Sequence, residues 1–234
     1  MGYTHYWYRK PEISQTKYTA IVEDFGKIVL ALADMGVQLA DGCGENIPII
    51  DNESVVFNGY SHCGHPQNQE VSIPWPARGA SGVDCGVQSE KVAGTWFAGA
   101  LLATRTCDGD CSYETFAFDR VEEVPDYQRK EPEFKQTGQF FQFCKTAYRP
   151  YDLAVTAFLI IAKHHLGADI KVTSDGDDEQ WQDAKRLCYI HLGYGPEYGM
   201  YQAGMSISKD DPERRAYPDV QLVHKSEWIY ADAT

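Results

Sequence analysis

The sequence predicts an α+β fold, a mostly antiparallel sheet with about three helices packed on it, plus a long loop-rich insertion. Three observations predict it. Aromatic and β-branched runs bounded by turn residues recur along the chain. Two segments, one after Ser14 and one after Pro150, carry the apolar pattern of helices. The order β-α-β-β, insertion, β-β-β-α-β-α holds a single clean β-α-β unit, which favours hairpins over parallel crossovers. With 234 residues and 43% hydrophobic content the chain is long enough for a substantial core, and it reads as one domain over 1–234 with an insertion at 60–112.

Thr4 to Arg9 is aromatic and β-branched, a strand stopped by Pro11. Behind Ser14 as N-cap, Tyr18, Ile21, Val22, Phe25, Ile28, Val29 and Leu32 fall at three-four spacing, a helix that ends near Gly36. Ile47 to Ile50 and Ser54 to Asn58 flank Asp51-Asn52-Glu53 as a hairpin. Tyr60 to Gly94 is rich in Gly, Pro, Ser and Asn, with Pro74-Trp75-Pro76, and reads as a long loop. Trp96 to Thr106 and Ser112 to Phe118 read as strands joined through Cys107-Asp108-Gly109-Asp110-Cys111 as a tight turn.

Asp119 to Thr137, charged and with two prolines, reads as a solvated connection, and Gln139 to Cys144 as a strand. Pro150 opens a helix that is apolar on nearly every side from Leu153 to Ala162 and stops at Gly167, so it belongs in the core. Asp169 to Thr173 is a strand. Ser174-Asp175-Gly176-Asp177-Asp178-Glu179 then loads acid onto the start of a last helix that turns Trp181, Ala184, Leu187 and Cys188 inward. An edge strand is expected near Val220 to His224.

The balance of 21 Lys+Arg against 34 Asp+Glu gives a net charge of −13, which opposes nonspecific attraction to nucleic acid or anionic lipid. No nucleic-acid partner is expected. Met1 to Arg9 has neither the basic nor the apolar part of a secretory signal, and Leu153 to Ala162 is about half the roughly 20 residues a membrane span needs. Cytoplasmic residence without a membrane partner is therefore expected.

Seven cysteines, at 43, 63, 85, 107, 111, 144 and 188, form an odd set unsuited to a full disulfide framework. Cys63, His65, Cys107 and Cys111 form the best quartet for a structural Zn²⁺, which needs four soft or borderline ligands and contributes most where a loop is too long to hold itself. Their spacing matches no zinc ribbon. A Cys107–Cys111 disulfide and free thiols stand as the alternatives.

The segment from Phe143 to Asp152 is the main candidate for ligand binding. A strand end followed by Lys145, Thr146 and Arg149 sets an ammonium, a hydroxyl and a guanidinium around a helix start, an arrangement suited to phosphate or carboxylate. Against it, Asp152 is placed to occupy the helix amides, and Lys145 and Arg149 to pair with the chain's own carboxylates. Glu114 and Asp175 are expected beside this loop, where with His164, His165 and Ser174 they would supply acid–base groups. Against this, His164 and His165 fit the last turn of the buried helix, where positive charge is favoured, and Ser174-Asp175 fits a helix cap. Cys144 beside Lys145 is either a nucleophile or a core thiol. Tyr189 to Tyr201, rich in Tyr and Gly, reads as an aromatic surface or as core packing.

Met1-Gly2-Tyr3-Thr4-His5-Tyr6-Trp7, Phe57-Asn58-Gly59, Glu114-Thr115-Phe116, Phe143-Cys144-Lys145-Thr146-Ala147, Arg149-Pro150-Tyr151-Asp152 and Ser174-Asp175-Gly176 together resemble a family of uncharacterised bacteriophage and bacterial proteins. The resemblance touches the core, with 60–112 as an addition to it. It implies a phage-type origin, hence the host cytoplasm, and a common fold, and it transfers no catalytic residue.

Two functions from different classes are compatible with these residues. One is a binder of, or modest enzyme on, a small anionic ligand held by Lys145, Thr146 and Arg149. The other is an accessory or inhibitory factor that engages a host protein through its acidic surface and insertion.

Overall fold

Alternation along Thr4–Arg9 (β1) turns His5, Trp7 and Arg9 inward and leaves Tyr6 and Tyr8 half-buried on the other side. The computed structural model describes residues 3–65, 69–74, 102–202 and 220–224. Gln15–Asp34 (α1) buries Tyr18, Ile21, Phe25, Ile28, Ala31 and Leu32, the face its spacing predicts. After Leu39–Ala40 (β2) and Ile49–Ile50 (β3), the strand Ser54–Gly59 (β4) pairs with both.

Gln69–Pro74 (β5) and Leu102–Cys107 (β6) form their own antiparallel ladder. Phe116–Asp119 (β7) pairs with β4. This corrects the hairpin expected across Cys107–Cys111. The turn is there, with Gly109 at φ 78 and the Asp110 carboxylate accepting the Ser112 N–H at 2.7 Å, but its two arms find different partners. Within the span read as a solvated connection, Asp126–Arg129 (α2) and Pro132–Thr137 (α3) are helical.

Phe140–Lys145 (β8) and Ile170–Ser174 (β9) flank β1 in the order β8-β1-β9, all antiparallel. Asp152–Leu166 (α4) lies between them in sequence and is buried along almost its whole length. The last helix, Gln182–Leu192 (α5), begins behind Trp181, just after the acidic run that ends at Glu179, and Trp181, Ala184, Leu187 and Cys188 are buried as expected. Tyr198–Gln202 (β10) pairs with the expected strand Val220–His224 (β11).

The architecture is α+β. Helices α1, α4 and α5 pack on one another and α4 on β9, and the core runs through Trp7, Phe25, Phe57, Phe116, Phe118 and Phe158. Tyr194 and Tyr198 belong to this core, so much of the tyrosine-rich segment is packing. The Trp96 start of the expected strand, Trp75-Pro76 and Cys85 lie outside the described residues. Among the described residues no helix is long and apolar enough to cross a membrane.

Candidate functional site

The end of β4, the loop to residue 65 and the end of β6 bring Cys63, His65, Cys107 and Cys111 together, their ligand atoms all within 4.8 Å of one another. The approach requires Gly59, where a Cβ would stand 1.9 Å from the Cys111 carbonyl oxygen. The Cys111 N–H donates to the Tyr60 carbonyl at 3.2 Å, which fixes the two loops side by side.

A tetrahedral site with sulfur about 2.3 Å and nitrogen about 2.0 Å from the metal sets sulfur pairs about 3.8 Å apart and a sulfur–nitrogen pair about 3.5 Å apart. Here Cys63–Cys107 and Cys107–Cys111 are separated by 3.6 and 3.5 Å between Sγ atoms, and Cys111 Sγ lies 3.4 Å from His65 Nδ1. The donor set fits Zn²⁺. A disulfide does not fit these separations, which exceed the about 2.05 Å of an S–S bond. Burial pushes the Cys107 and Cys111 thiols up, a cost that a dication offsets by holding them as thiolates.

The other cluster closes the adjoining end of the central sheet, where Thr4 faces Lys145 and His5 faces Ser174 across the ladders. His5 Nε2 lies 2.8 Å from Asp152 Oδ1, and its Nδ1 lies 2.9 Å from Ser174 Oγ. The Thr146 hydroxyl donates to Asp152 Oδ1 at 2.6 Å. From β6, Arg105 sets Nη1 2.8 Å from Asp183 Oδ2 and Nε 3.4 Å from Asp152 Oδ2, with its guanidinium 4.5 Å from the centre of the Tyr148 ring. His5, Thr146 and Asp152 are fully buried.

Burial pushes the Asp152 carboxyl up, but pairing with His5 and then Arg105 outweighs it and holds the group below the ordinary carboxylate range. Asp183 moves the other way. Its burial dominates the opposing pull of Arg105, and the Asp152 charge adds to it, so its carboxyl stands above the ordinary range. Ser174, His5 and Asp152 thus form a continuous relay along which a proton can pass, anchored at an ionised carboxylate.

Around this cluster stand the five sequence-derived ligand residues. Thr146 is committed to Asp152. Glu114 Oε2 accepts the Lys145 N–H at 2.8 Å, and Asp175 accepts the Thr4 N–H and the Tyr6 hydroxyl, both at 3.0 Å. Lys145 holds its ammonium 5.6 Å from the centre of the Tyr113 ring, and the buried Nε of Arg149 has no hydrogen-bond partner among the described residues. Between them Ala147 and Tyr148 adopt left-handed φ of 50 and 57°, a strained pair held by Thr106, whose N–H donates to the Tyr148 carbonyl at 2.9 Å.

One expectation changes, and two open alternatives are decided. Asp152 does not cap α4: its side chain turns inward, and the first turn closes on itself, with the Asp152 N–H donating to the Arg149 carbonyl at 2.9 Å. His164 and His165 sit at the opposite end of α4, about 18 Å along the axis at about 1.5 Å per residue. There they engage Tyr198 and Asp24, so they do not join Glu114 and Ser174. Cys144 is a core thiol, fully buried and pushed up by that burial. His5, Arg105 and Asp183 were missed. The signal for His5 was strand parity, which places it on the inward side with Trp7 and Arg9.

No family model, curated protein or solved structure matches the chain.

Proposed function

We propose that this chain binds a small phosphate- or carboxylate-bearing molecule at the Lys145 and Arg149 end of the central sheet, with a structural Zn²⁺ in the Cys63, His65, Cys107 and Cys111 quartet. One observation carries the ligand reading. In a chain of net charge −13, neither the Lys145 ammonium nor the Arg149 guanidinium makes an ion pair among the described residues. Cations left over where carboxylates outnumber them are available for an external anion.

The Ser174–His5–Asp152 relay beside them supplies the proton path that a modest acid–base enzyme on such a ligand needs. The chain is one domain over 1–234, and zinc held by Cys63, His65, Cys107 and Cys111 closes the base of the 60–112 insertion. Unlinked thiols at Cys63, Cys107 and Cys111 suit a reducing compartment such as the cytoplasm.

Thermal unfolding in inorganic phosphate and in citrate tests the ligand reading, using the intact protein and the double variant K145A/R149A. The intact protein is expected to gain a few degrees with one of these anions, roughly the shift of 1 kcal/mol of linkage. The double variant is expected to unfold as the intact protein does without anion and to gain nothing with it. Equal stabilisation of both proteins would contradict the reading.

A further inference from the structure

We infer that the cleft between the aromatic edge of the central sheet and the helices α2 and α3 is a second binding site, for an organic ammonium group of about the size of choline. The cleft has a volume of about 270 Å³ and is lined by the rings of Tyr8, Tyr127, Phe134 and Phe141 and by Glu131 and Glu133. That is smaller than the roughly 300 to 1,000 Å³ of sites for drug-sized ligands, so it takes a head group.

The sequence builds this cleft from strand parity. With His5, Trp7 and Arg9 turned into the core, Tyr8 emerges on the outer side of β1, and its register partner across the ladder is Phe141 of β8. The two rings lie 5.2 Å apart. The opposite wall is held in place by Gln128. Its Oε1 accepts the Phe141 N–H at 2.7 Å and its Nε2 donates to the Phe141 carbonyl at 3.0 Å, so a side-chain amide completes the edge of β8 as a neighbouring strand would. The Tyr127 hydroxyl accepts from Gln128 Nε2 at 3.2 Å, and Phe134 lines the same cleft from α3.

Apolar packing alone does not explain the occupants of the rim. Among the described residues neither Glu131 nor Glu133 makes an ion pair. The cations of the same segment, Arg129, Lys130 and Lys135, do not line the cleft. Both carboxylates act on its interior: after burial, their charges are what raise the Tyr8 hydroxyl above its ordinary value. Ring faces and carboxylates both attract positive charge and both repel anions, so a phosphate or a carboxylate is disfavoured here. The Tyr8 ring already has the Lys171 ammonium 5.8 Å from its centre. A quaternary or primary ammonium with an apolar surround satisfies rings and carboxylates together, which a neutral apolar group does not.

The test uses choline, tetramethylammonium and the uncharged choline analogue 3,3-dimethylbutan-1-ol, each titrated against the full chain with ligand-observed NMR. Choline and tetramethylammonium are expected to bind at least roughly tenfold more tightly than the alcohol, because two carboxylates and several ring faces favour the charge. The variant E131Q/E133Q, altered at the rim, is expected to keep its melting temperature and lose most of that preference. F134A, checked for folding by melting, is expected to weaken both cations. Equal affinity for choline and the alcohol, an unchanged preference in E131Q/E133Q, displacement of choline by glucose, or no cation binding at all overturns the inference.

Discussion

Arg105 and Cys107 stand two residues apart on β6, on the same side of the strand, and each closes a different cluster. Arg105 reaches Asp183 at 2.8 Å, and Cys107 stands 3.6 Å from Cys63. The strand that carries the candidate ligand Cys107 therefore also delivers a guanidinium that, among the described residues, faces Asp152 and Asp183 together. Fixing the quartet fixes Arg105. On this account the metal is structural, and its effect on the polar cluster is transmitted over two residues of strand.

Removing the metal is accordingly expected to disturb more than the insertion. Chelation, or C107S, is expected to lower the melting temperature by more than about 10 °C, a loss of the size expected when a structural zinc site is emptied. It is also expected to alter the near-ultraviolet dichroism of Tyr148 and Trp181, which border the Arg105 cluster. Melting and dichroism indifferent to chelator would contradict the coupling.

Asp152 and Asp183 share Arg105 but are expected to behave oppositely. D152N leaves His5 and Arg105 buried without their ionised partner and is expected to cost about 3 to 5 kcal/mol in denaturant unfolding at neutral pH. D183N is expected to cost less, because burial already opposes the Asp183 charge. The acid limb follows the same logic. With its folded value below the unfolded value of about 3.9, Asp152 contributes stability that is present above about pH 4 and lost as the pH falls through the folded value. Asp183, raised on folding, favours the folded state at low pH and loses that contribution as the pH rises through its own value. D152N is thus expected to flatten the loss of stability below about pH 4, and an unchanged acid limb would count against the assignment.

Gly59 gives a backbone test of the site. A methyl group there meets the Cys111 carbonyl at 1.9 Å, so G59A is expected to push the two ligand loops apart and to reduce metal content as well as stability. G26A on α1 is the control, since nothing lies within 4 Å of its Cβ and it stands outside the ligand loops. Full metal loading of G59A would show that the close approach is dispensable.

Thiol reactivity separates the cysteines. In a C85S background with metal bound, Cys43, which is exposed, is expected to react rapidly with a disulfide reagent, while Cys144 and Cys188 stay inert until unfolding. Chelation is expected to release Cys63, Cys107 and Cys111 as a further group of three. Their fast reaction before chelation would place them outside a metal site.

Local periodicity made much of the fold legible. The spacing in α1 and the all-round apolar run of α4 each dictate burial by themselves, and the Cys and His residues of the quartet stand out by type. Pairing was less legible, because β6 and β7 each have a turn between them that fits a hairpin, and only the tertiary choice of β5 and β4 as partners decides otherwise. The polar cluster was hardest to read. It is assembled from His5, Arg105, Thr146, Asp152, Ser174 and Asp183, one or two residues from each of several distant segments, and a lone Arg105 between Thr104 and Thr106 carries no local mark of its destination. The same holds for the aromatic cleft, whose Tyr8 and Phe141 become neighbours only through the register of β1 with β8.

Cys63, His65, Cys107 and Cys111 are expected to hold one zinc ion together. Native mass spectrometry of the full chain, purified without chelator, tests it most directly when run beside C63S and C111S. One Zn²⁺ per chain is expected in the intact protein, and its loss in both variants. A metal-free mass for the intact protein in zinc-supplemented buffer, or undiminished zinc in the variants, would contradict it.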